Sequence, residues 1–324
     1  MDVQFVLYIC RALERDGTLI EPAQVREYLD SLGADCRNLE NALNDLVEAG
    51  SLARSEQGTF EISDAGRAKA GDFPDKEQRD SYNQFMLKIW HSKAYLDFCE
   101  DLYGFRWCLL NSLYKEQYQY LFHELQVSSN DTVLDLGCGS GAVLADLVKR
   151  HTCRGIGIDY ARDLIDILKK RHSDIDFYDL DIEGVRYAPV EADVIISLDG
   201  LYTCRNLPAL FDGLRSKCRR HMYVFFTQSL DDENGDRATL QGENTDLARA
   251  LQVNGLSYSA VDVSSDEWGL WKHEESILDK HRAAFELEGS LTIWDGRVAD
   301  TNNMLKLFAE HRAARFIYKI DFAR

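Results

Sequence analysis

Short apolar runs alternate with amphipathic stretches over the C-terminal two thirds of the chain. Each run has the length of a buried strand, and the stretches between runs carry apolar residues at helical spacing. Strands that alternate with helices in this way form a mostly parallel sheet with helices on both faces. The pattern predicts an α/β fold with a doubly wound, mostly parallel seven-stranded sheet, its strands near residues 132–136, 155–159, 175–178, 193–198, 221–228, 257–263 and 314–322.

A different pattern occupies the first 70 residues, where three helix-like stretches precede a hairpin. The second stretch begins at Pro22, the third stops at Gly50, and the hairpin is centred on Gln57-Gly58. Three helices and a β-wing resemble a winged helix, a form that many transcription factors use on DNA. We therefore predict a winged-helix-like accessory and dimerisation domain over residues 1–72.

The charge of this segment argues against DNA binding. Residues 1–70 contain 7 Arg and Lys against 13 Asp and Glu, a net charge of −6. In the candidate recognition helix, about residues 37–49, Arg37 is opposed by Glu40, Asp45 and Glu48. A helix that enters the major groove needs the opposite sign. We expect the segment to pack against a second subunit or to cap a functional site.

Helical segments flank and interrupt the alternating core. Residues 73–76 are the predicted linker, and residues 73–125 form a helical linker and cap that is rich in aromatic side chains. The core over 126–324 contains two further helices, near 266–288 and 299–310, before its last strand. They define a predicted lid insertion at about 264–312, over the carboxyl ends of the strands.

The composition is that of an acidic globular protein. The 324 residues include 55 Asp and Glu against 37 Lys and Arg, a net charge of −18, with no basic patch that would attract a phosphate backbone. The eight cysteines show no Cys-x-x-Cys and no metal-like pairing with His. No apolar run reaches the length of a membrane span. We expect a cytoplasmic homodimer without a metal, a nucleic-acid partner or a membrane partner.

The most informative motif is a glycine-rich segment after the first core strand. Residues 133–136 (Val-Leu-Asp-Leu) run into residues 137–141 (Gly-Cys-Gly-Ser-Gly), and an amphipathic stretch begins at Ala142. A strand, a glycine turn and a helix in this order let a nucleotide approach bare backbone and a helix N-terminus. Asp159 ends the next strand, where a carboxylate holds a ribose. The motif predicts an adenosine-containing cofactor.

Asp135 discriminates between two such cofactors. Gly137, Gly139 and Ala142 also satisfy the dinucleotide fingerprint. In proteins that bind dinucleotides, however, the strand tip is apolar, because a carboxylate would repel the diphosphate. S-adenosylmethionine has no phosphate and carries a sulfonium and an ammonium group. Asp135 therefore favours S-adenosylmethionine, with NAD binding or a bare structural turn as the alternatives.

From these residues onward the chain resembles the class I S-adenosylmethionine-dependent methyltransferases, over about residues 80–324 and most closely their small-molecule branch. The resemblance implies a Rossmann-like fold, S-adenosyl-L-methionine as cofactor and S-adenosyl-L-homocysteine as product. It assigns the ribose to Asp159 and the adenine to Asp181 and Ile182, with Asp179 as a rival to Asp181. The expected cofactor-binding residues are Asp135, Gly137, Cys138, Gly139, Gly141, Asp159, Tyr160, Asp181, Ile182, Leu198 and Tyr95.

The candidate catalytic residues are Asp199, Tyr202 and His273. Methyl transfer from a sulfonium needs alignment and an acceptor with a free lone pair, so a dedicated catalytic motif is not required. Asp199 and Tyr202 follow the fourth strand, where methyl group and acceptor meet in the similar family. Asp199 could bind or deprotonate an ammonium, and Tyr202 could orient it. A capping role for Asp199, a packing role for Tyr202 and a solvated surface position for His273 are the alternatives.

These observations predict an S-adenosylmethionine-dependent methyltransferase that acts on a small-molecule acceptor. The acidic surface and the carboxylates and aromatics near the expected site favour an amine nitrogen. A small-molecule O-methyltransferase is the nearest alternative. A transcriptional regulator that senses the cofactor through a degenerate transferase domain is the alternative from another class.

Overall fold

The computed structural model describes residues 1–71, 76–110, 112–230, 232 and 234–322. Residues 73–75 of the predicted linker lie outside these ranges. The helices are α1 (Val3–Arg15), α2 (Pro22–Ser31), α3 (Leu39–Glu48), α4 (Asp64–Ala70), α5 (Lys76–His91), α6 (Lys93–Tyr103), α7 (Lys115–Glu124), α8 (Ala142–His151), α9 (Arg162–Arg171), α10 (Leu207–Leu214), α11 (Asp246–Val253), α12 (Ser264–Glu288) and α13 (Leu291–Ala309). The strands are β1 (Leu52–Arg54), β2 (Phe60–Ile62), β3 (Thr132–Leu136), β4 (Arg154–Asp159), β5 (Ile175–Asp179), β6 (Ala192–Leu198), β7 (Cys218–Ser229), β8 (Ser257–Asp262) and β9 (Ala313–Asp321).

Seven strands form one twisted sheet in the order β5-β4-β3-β6-β7-β9-β8. Strands β3 to β7 are parallel, whereas β9 runs antiparallel to both β7 and β8. The predicted doubly wound, mostly parallel seven-stranded sheet is confirmed. The chain leaves β3 toward β4 on one side and returns to β6 on the other, so a crevice opens at the carboxyl ends of β3 and β6.

The centre of the sheet is apolar because it is covered on both faces. In β3, Leu134 pairs with Ile156 of β4 and Ile195 of β6, and all three side chains are buried. A strand buried on both faces shows a continuous apolar run instead of alternation. Asp135 is the exception within β3, and its burial in this setting makes it the focus of the site described below.

The N-terminal 70 residues contain the predicted helices and hairpin. Strands β1 and β2 pair antiparallel, with Ala53 opposite Glu61, and Ile20 adds a bridge to Phe60. Helix α4, which the sequence patterns did not predict, begins with Ser63 as its N-cap. The winged-helix-like domain assignment stays a prediction.

The N-terminal helices share one continuous apolar cluster with the sheet. Tyr8 of α1 packs against Tyr187, and their ring centroids are 5.8 Å apart. Arg79 of α5 donates to Asp16 at 2.8 Å and, through Nε, to the Tyr160 carbonyl at 3.1 Å. A second guanidinium, that of Arg162, also donates to Asp16 at 2.8 Å. The N-terminal segment is therefore fixed to the β4–β5 side of the sheet by apolar and ionic contacts.

The segment predicted as a lid insertion contains two long helices that pack against each other. Helix α12 agrees with the predicted helix at 266–288, but α13 begins at Leu291 and not near 299. Gly296 lowers the helix propensity of this part, and the helix forms because Ile293 and Arg297 are buried against neighbouring elements. Tertiary packing decides the start of α13.

Candidate active site

The glycine-rich turn between β3 and α8 has the geometry that its sequence requires. Gly137, Gly139 and Gly141 have φ values of 79°, 51° and 66°, a region that favours glycine. The amides of Gly137 and Cys138 both donate to the carbonyl of Ile158 at the end of β4, at 2.8 and 3.0 Å. The turn is thereby fixed over the carboxyl ends of the two strands.

Gly200 lets the segment after β6 approach this turn. A Cβ at Gly200 would lie 2.6 Å from the Leu136 carbonyl oxygen, and a Cβ at Gly137 would lie 3.1 Å from the Gly200 Cα. Side chains at these positions would separate the two strand ends. The close approach closes the floor of the crevice.

A cavity of about 240 Å³ lies above the crevice. Residues from α5, the loop before α7, the glycine turn and the ends of β4 and β6 surround it. Its lining consists of Tyr82, Met86, Cys108, Leu109, Leu110, Asp135, Gly137, Cys138, Gly139, Ser140, Ala142, Val143, Asp159, Tyr160, Ile182, Leu198, Asp199 and Gly200. We call it the cofactor cavity. Of the residues predicted for the site, Gly141, Asp181, Tyr95, Tyr202 and His273 are not part of this lining.

Asp135 is a buried carboxyl group inside the crevice. Its side chain is 3% exposed, and within the described residues it receives no hydrogen bond. Burial, with the charge of Asp159 added, raises the pKa of Asp135 to about 8. A cation in the cavity would stabilise its ionised form.

Asp159 holds the glycine turn in place. One oxygen of its carboxylate accepts from the Gly139 amide and the other from the Ala161 amide, each at 2.9 Å. Burial raises the pKa of Asp159 to about 6, although these hydrogen bonds act in the opposite direction. Its carboxylate lines the cavity and retains lone pairs for a ligand.

Cys138 fills space inside the turn. Its side chain is 9% exposed, and burial raises the pKa of its thiol well above the usual range, with the charges of Asp159 and Asp135 adding to the effect. A thiol in this environment is neutral and is a poor nucleophile.

The two acidic candidates at the end of β5 are both engaged in ion pairs. Asp181 accepts from the Glu183 amide at 3.0 Å and lies 3.4 Å from Arg205. Asp179 pairs with Arg79 and Arg162. Asp181 thus begins the turn that places Ile182 in the cavity lining, whereas Asp179 holds the junction with the N-terminal segment.

The helices before the glycine turn contribute residues that the motif analysis did not select. Tyr82 and Met86 are four residues apart on α5 and line the cavity, and Tyr82 stacks on Tyr160 with ring centroids 4.7 Å apart. Tyr95 is fully buried, and its hydroxyl donates to the carbonyl of Leu109, which is itself in the lining. The signal for Tyr82 and Met86 was their shared helix face.

Asp199 is saturated by hydrogen bonds. Arg315 of β9 donates to both of its oxygens, at 2.7 and 2.8 Å, and the Ser112 amide and the Tyr202 hydroxyl donate to it at 3.1 and 2.7 Å. Burial alone would raise the pKa of Asp199, but the charge and hydrogen bonds of Arg315 hold it below its usual range. The carboxylate is ionised and fully occupied, with a left-handed φ of 60°.

Tyr202 and His273 lie apart from the cofactor cavity. Besides donating to Asp199, the Tyr202 hydroxyl accepts from the Thr227 amide at 2.6 Å. The His273 ring lies 3.2 Å from the Asp101 carbonyl, at an exposed contact between α12 and α6. Tyr202 thus belongs to the Asp199 network, and His273 does not.

In the part of the chain that the structure describes, no group of three or more His, Cys, Asp or Glu side chains could hold a metal ion. Among the same residues, none of the helices is both long and apolar enough to cross a bilayer.

Sequence comparison identifies relatives of the chain. The family model described as a methyltransferase domain matches residues 110–275, about half of the chain. Protein 235L of Invertebrate iridescent virus 6, a methyltransferase by name, is 26% identical over 136 residues, which make up 40% of this chain and 50% of the viral protein. The chain thus spans about half the length of this curated relative.

Solved structures share the fold at low sequence identity. Phosphoethanolamine N-methyltransferase 2 of Haemonchus contortus has a TM-score of 0.58 at 12% identity, over 75% of this chain and 60% of that chain. The cyclopropane synthase MmaA2 of Mycobacterium tuberculosis has a TM-score of 0.57 at 11% identity, over 74% and 98% of the two chains. The chain therefore belongs to the methyltransferase-domain family and has the fold of the class I S-adenosylmethionine-dependent methyltransferases.

Proposed function

We propose that this protein transfers a methyl group from S-adenosylmethionine to a small-molecule acceptor. The observation that carries the proposal is Asp135, a buried carboxyl group that lies beside a glycine turn and receives no hydrogen bond from the described residues. S-adenosylmethionine brings a sulfonium and an ammonium group, and either would stabilise the ionised carboxylate. A dinucleotide would bring phosphates to the same place, where Asp135 and Asp159 would repel them.

The lining of the cofactor cavity supports distinct roles for its residues. Asp135 would face the positive charge of the cofactor, and Asp159 would accept from the ribose hydroxyls. Ile182 and Leu198 supply apolar surface for an adenine ring, and the stacked pair of Tyr82 and Tyr160 closes the cavity beside them. The bound cofactor supplies an activated methyl group, and the enclosing side chains exclude water from it.

We further propose an amine nitrogen as the methyl acceptor. The net charge of −18 favours encounters with cationic molecules, and carboxylates lie next to the cofactor cavity. Because Arg315 occupies both oxygens of Asp199, we assign Asp199 a positioning role and not that of a free base. Methylation of an oxygen atom in place of a nitrogen would contradict this part of the proposal.

The proposed setting is a cytoplasmic homodimer that binds neither nucleic acid nor membranes. The acidic residues Glu40 and Glu48 of α3 are exposed, and they would oppose a DNA backbone. This arrangement favours an enzyme over a regulator that binds DNA through its first 70 residues. A gel shift with genomic fragments tests the regulator directly, since a shifted band would contradict the proposal.

Two measurements test the proposed function. Calorimetric titration of the full-length protein with S-adenosylmethionine should show binding, and Asp135→Asn should weaken it. Incubation with a methyl-labelled cofactor and a metabolite extract should then yield a product one methyl group heavier, which mass spectrometry identifies as N- or O-methylated. Unchanged affinity in Asp135→Asn would remove the basis of the proposal.

A further inference from the structure

A second cavity, of about 500 Å³, adjoins the cofactor cavity at Leu110 and Asp199, which line both. The loop before α7, the ends of β6, β7 and β9, and the helices α12 and α13 enclose it. Its lining consists of Leu110, Ser112, Asp199, Tyr202, Thr227, Ser229, Glu267, Trp271, Arg297, Asp300, Asn303, Met304 and Arg315. We call it the Glu267 cavity.

The two guanidinium groups of this cavity are already matched by carboxylates. Arg315 donates twice to Asp199, as described above, and Arg297 donates twice to Glu274, at 2.8 and 2.6 Å. Both arginines are buried, so these pairs are shielded from solvent. Glu267 and Asp300 form longer ion pairs with the same two arginines, at 3.3 Å from Arg315 and 3.9 Å from Arg297. Four carboxylates therefore share two guanidinium groups, and the cavity with its paired residues carries a net negative charge.

Glu267 has an oxygen that no donor satisfies. The side chain is 1% exposed, and its Oε1 accepts from Trp271 Nε1 at 2.8 Å. Its Oε2 forms an ion pair with Arg315 Nε at 3.3 Å but receives no hydrogen bond from the described residues. A buried carboxylate oxygen without a donor is costly. A donor on a ligand would remove that cost.

We propose that the Glu267 cavity is the acceptor site and that it binds an organic ammonium ion, with Glu267 as the carboxylate that faces the cation. The proposal rests on the proposed methyltransferase function and adds the place and charge of its acceptor. The charge excess supplies the attraction, and the unsatisfied Oε2 supplies a hydrogen-bond acceptor for the ammonium. Trp271 and Tyr202 provide aromatic surface for the remainder of the molecule.

Burial gives Glu267 a further property that matches a cationic ligand. It raises the pKa of Glu267, with the charge of Asp199 adding to the effect and that of Arg315 opposing it. A bound cation would favour the ionised carboxylate, so binding and ionisation support each other.

The test uses three amines, benzylamine, tyramine and butylamine, and their alcohol counterparts, benzyl alcohol, tyrosol and butanol. Each is titrated by calorimetry into the full-length protein saturated with S-adenosylhomocysteine, and each is soaked into crystals of that complex. At least one amine should bind with its nitrogen beside Glu267, at least tenfold more tightly than its alcohol. Equal binding of amine and alcohol, binding at another place, or no amine binding at 10 mM would overturn the proposal.

Variants separate this proposal from the proposed function. Glu267→Gln keeps the shape of the side chain and should weaken amine binding at least tenfold. Glu275→Gln makes the same change at an exposed position of α12 and should leave amine binding unchanged. S-adenosylhomocysteine should bind to both variants as to the wild type, because neither residue lines the cofactor cavity. If it fails to bind the wild type, the proposed function fails. If it binds and the amines do not, only the acceptor assignment fails.

Discussion

Arg315 donates to both carboxylate oxygens of Asp199 through its two terminal nitrogens, at 2.7 and 2.8 Å. These hydrogen bonds connect the antiparallel strand β9 to the segment that follows β6. The two residues are 116 positions apart in sequence, and their side chains are 2% (Arg315) and 13% (Asp199) exposed. The pair stands in the wall between the cofactor cavity and the Glu267 cavity. A carboxylate that borders both cavities is therefore held rigid by the last strand of the sheet.

Asp199→Asn should destabilise the protein by about 3 kcal/mol, because it leaves a buried guanidinium with one charge partner fewer. Asparagine tolerates the left-handed backbone found at this position, so the change tests the charge and not the turn. Adding Arg315→Met should restore part of the loss. Urea unfolding of both single variants and the double variant measures the coupling, and strictly additive losses would show that the pair contributes no coupling energy.

Asp135→Asn should make the cofactor-free protein more stable at pH 8. In the folded chain the pKa of Asp135 is raised to about 8, whereas an unfolded aspartate has a pKa of about 4. The folded state therefore holds one more proton between these pH values, so rising pH removes stability, by up to about 1.4 kcal/mol per pH unit. Urea unfolding at pH 5 to 8 should show this slope in the wild type and in the exposed control Asp174→Asn. Its persistence in Asp135→Asn would contradict the assignment.

Cofactor binding should release a proton from Asp135. At pH 7 a carboxyl group with a pKa of about 8 is mostly protonated, and a cation placed beside it favours the ionised form. Calorimetry at pH 7 in buffers of different ionisation enthalpy should therefore show about one more proton released by the wild type than by Asp135→Asn. Equal proton release by the two proteins would indicate that the cation lies elsewhere.

Gly200→Ala should cost about 1–3 kcal/mol of stability and weaken cofactor binding, because its Cβ would lie 2.6 Å from the Leu136 carbonyl oxygen. Gly269→Ala is the matched control. Apart from its chain neighbours and the backbone of its own helix, no atom of the described residues lies within 4 Å of the added methyl group there. Alanine also favours the helix, so a gain of about 1 kcal/mol is expected. Thermal unfolding compares the two variants. A neutral result for Gly200→Ala would mean that the strand ends can separate freely.

Arg79→Gln should cost up to about 3 kcal/mol, since it removes the more deeply buried of the two guanidinium groups that Asp16 and Asp179 share and leaves only that of Arg162. It also removes the donor to the Tyr160 carbonyl, so S-adenosylmethionine should bind more weakly. Arg67→Gln removes an exposed guanidinium that pairs with Glu14 and should leave the free energy of unfolding nearly unchanged. Unfolding and titration of both variants check the difference, and equal effects would refute the special role of Arg79.

The predictable parts of the structure are those encoded by neighbouring residues. Residues 133–141 contain both a strand and the turn that ends it, so the position of Asp135 followed directly from the sequence. Strand bounds such as those of β3 agree with the apolar runs because both faces of the sheet are covered. Local patterns thus indicated the fold and the cofactor side of the site.

The other side of the site depends on long-range pairs that local patterns do not contain. The sequence left Asp199 open between a role at the acceptor and a capping role, because nothing near it in sequence shows that Arg315 of β9 lies beside it. Glu267 looked like one of many acidic residues on a helix, and only the packing of α12 buries it. Asp181 follows the end of β5 by two residues, and its pairing with Arg205 could be seen only in the structure.

The apolar cluster that α1 to α3 share with the sheet has a practical consequence. An N-terminally truncated protein that starts near the glycine motif would expose the apolar face of the sheet to water, and it should aggregate. Replacing the first 70 residues by those of a related protein should also cause aggregation, unless the apolar sheet residues that contact them are replaced as well. The N-terminal segment and the sheet can therefore be exchanged between related proteins only together.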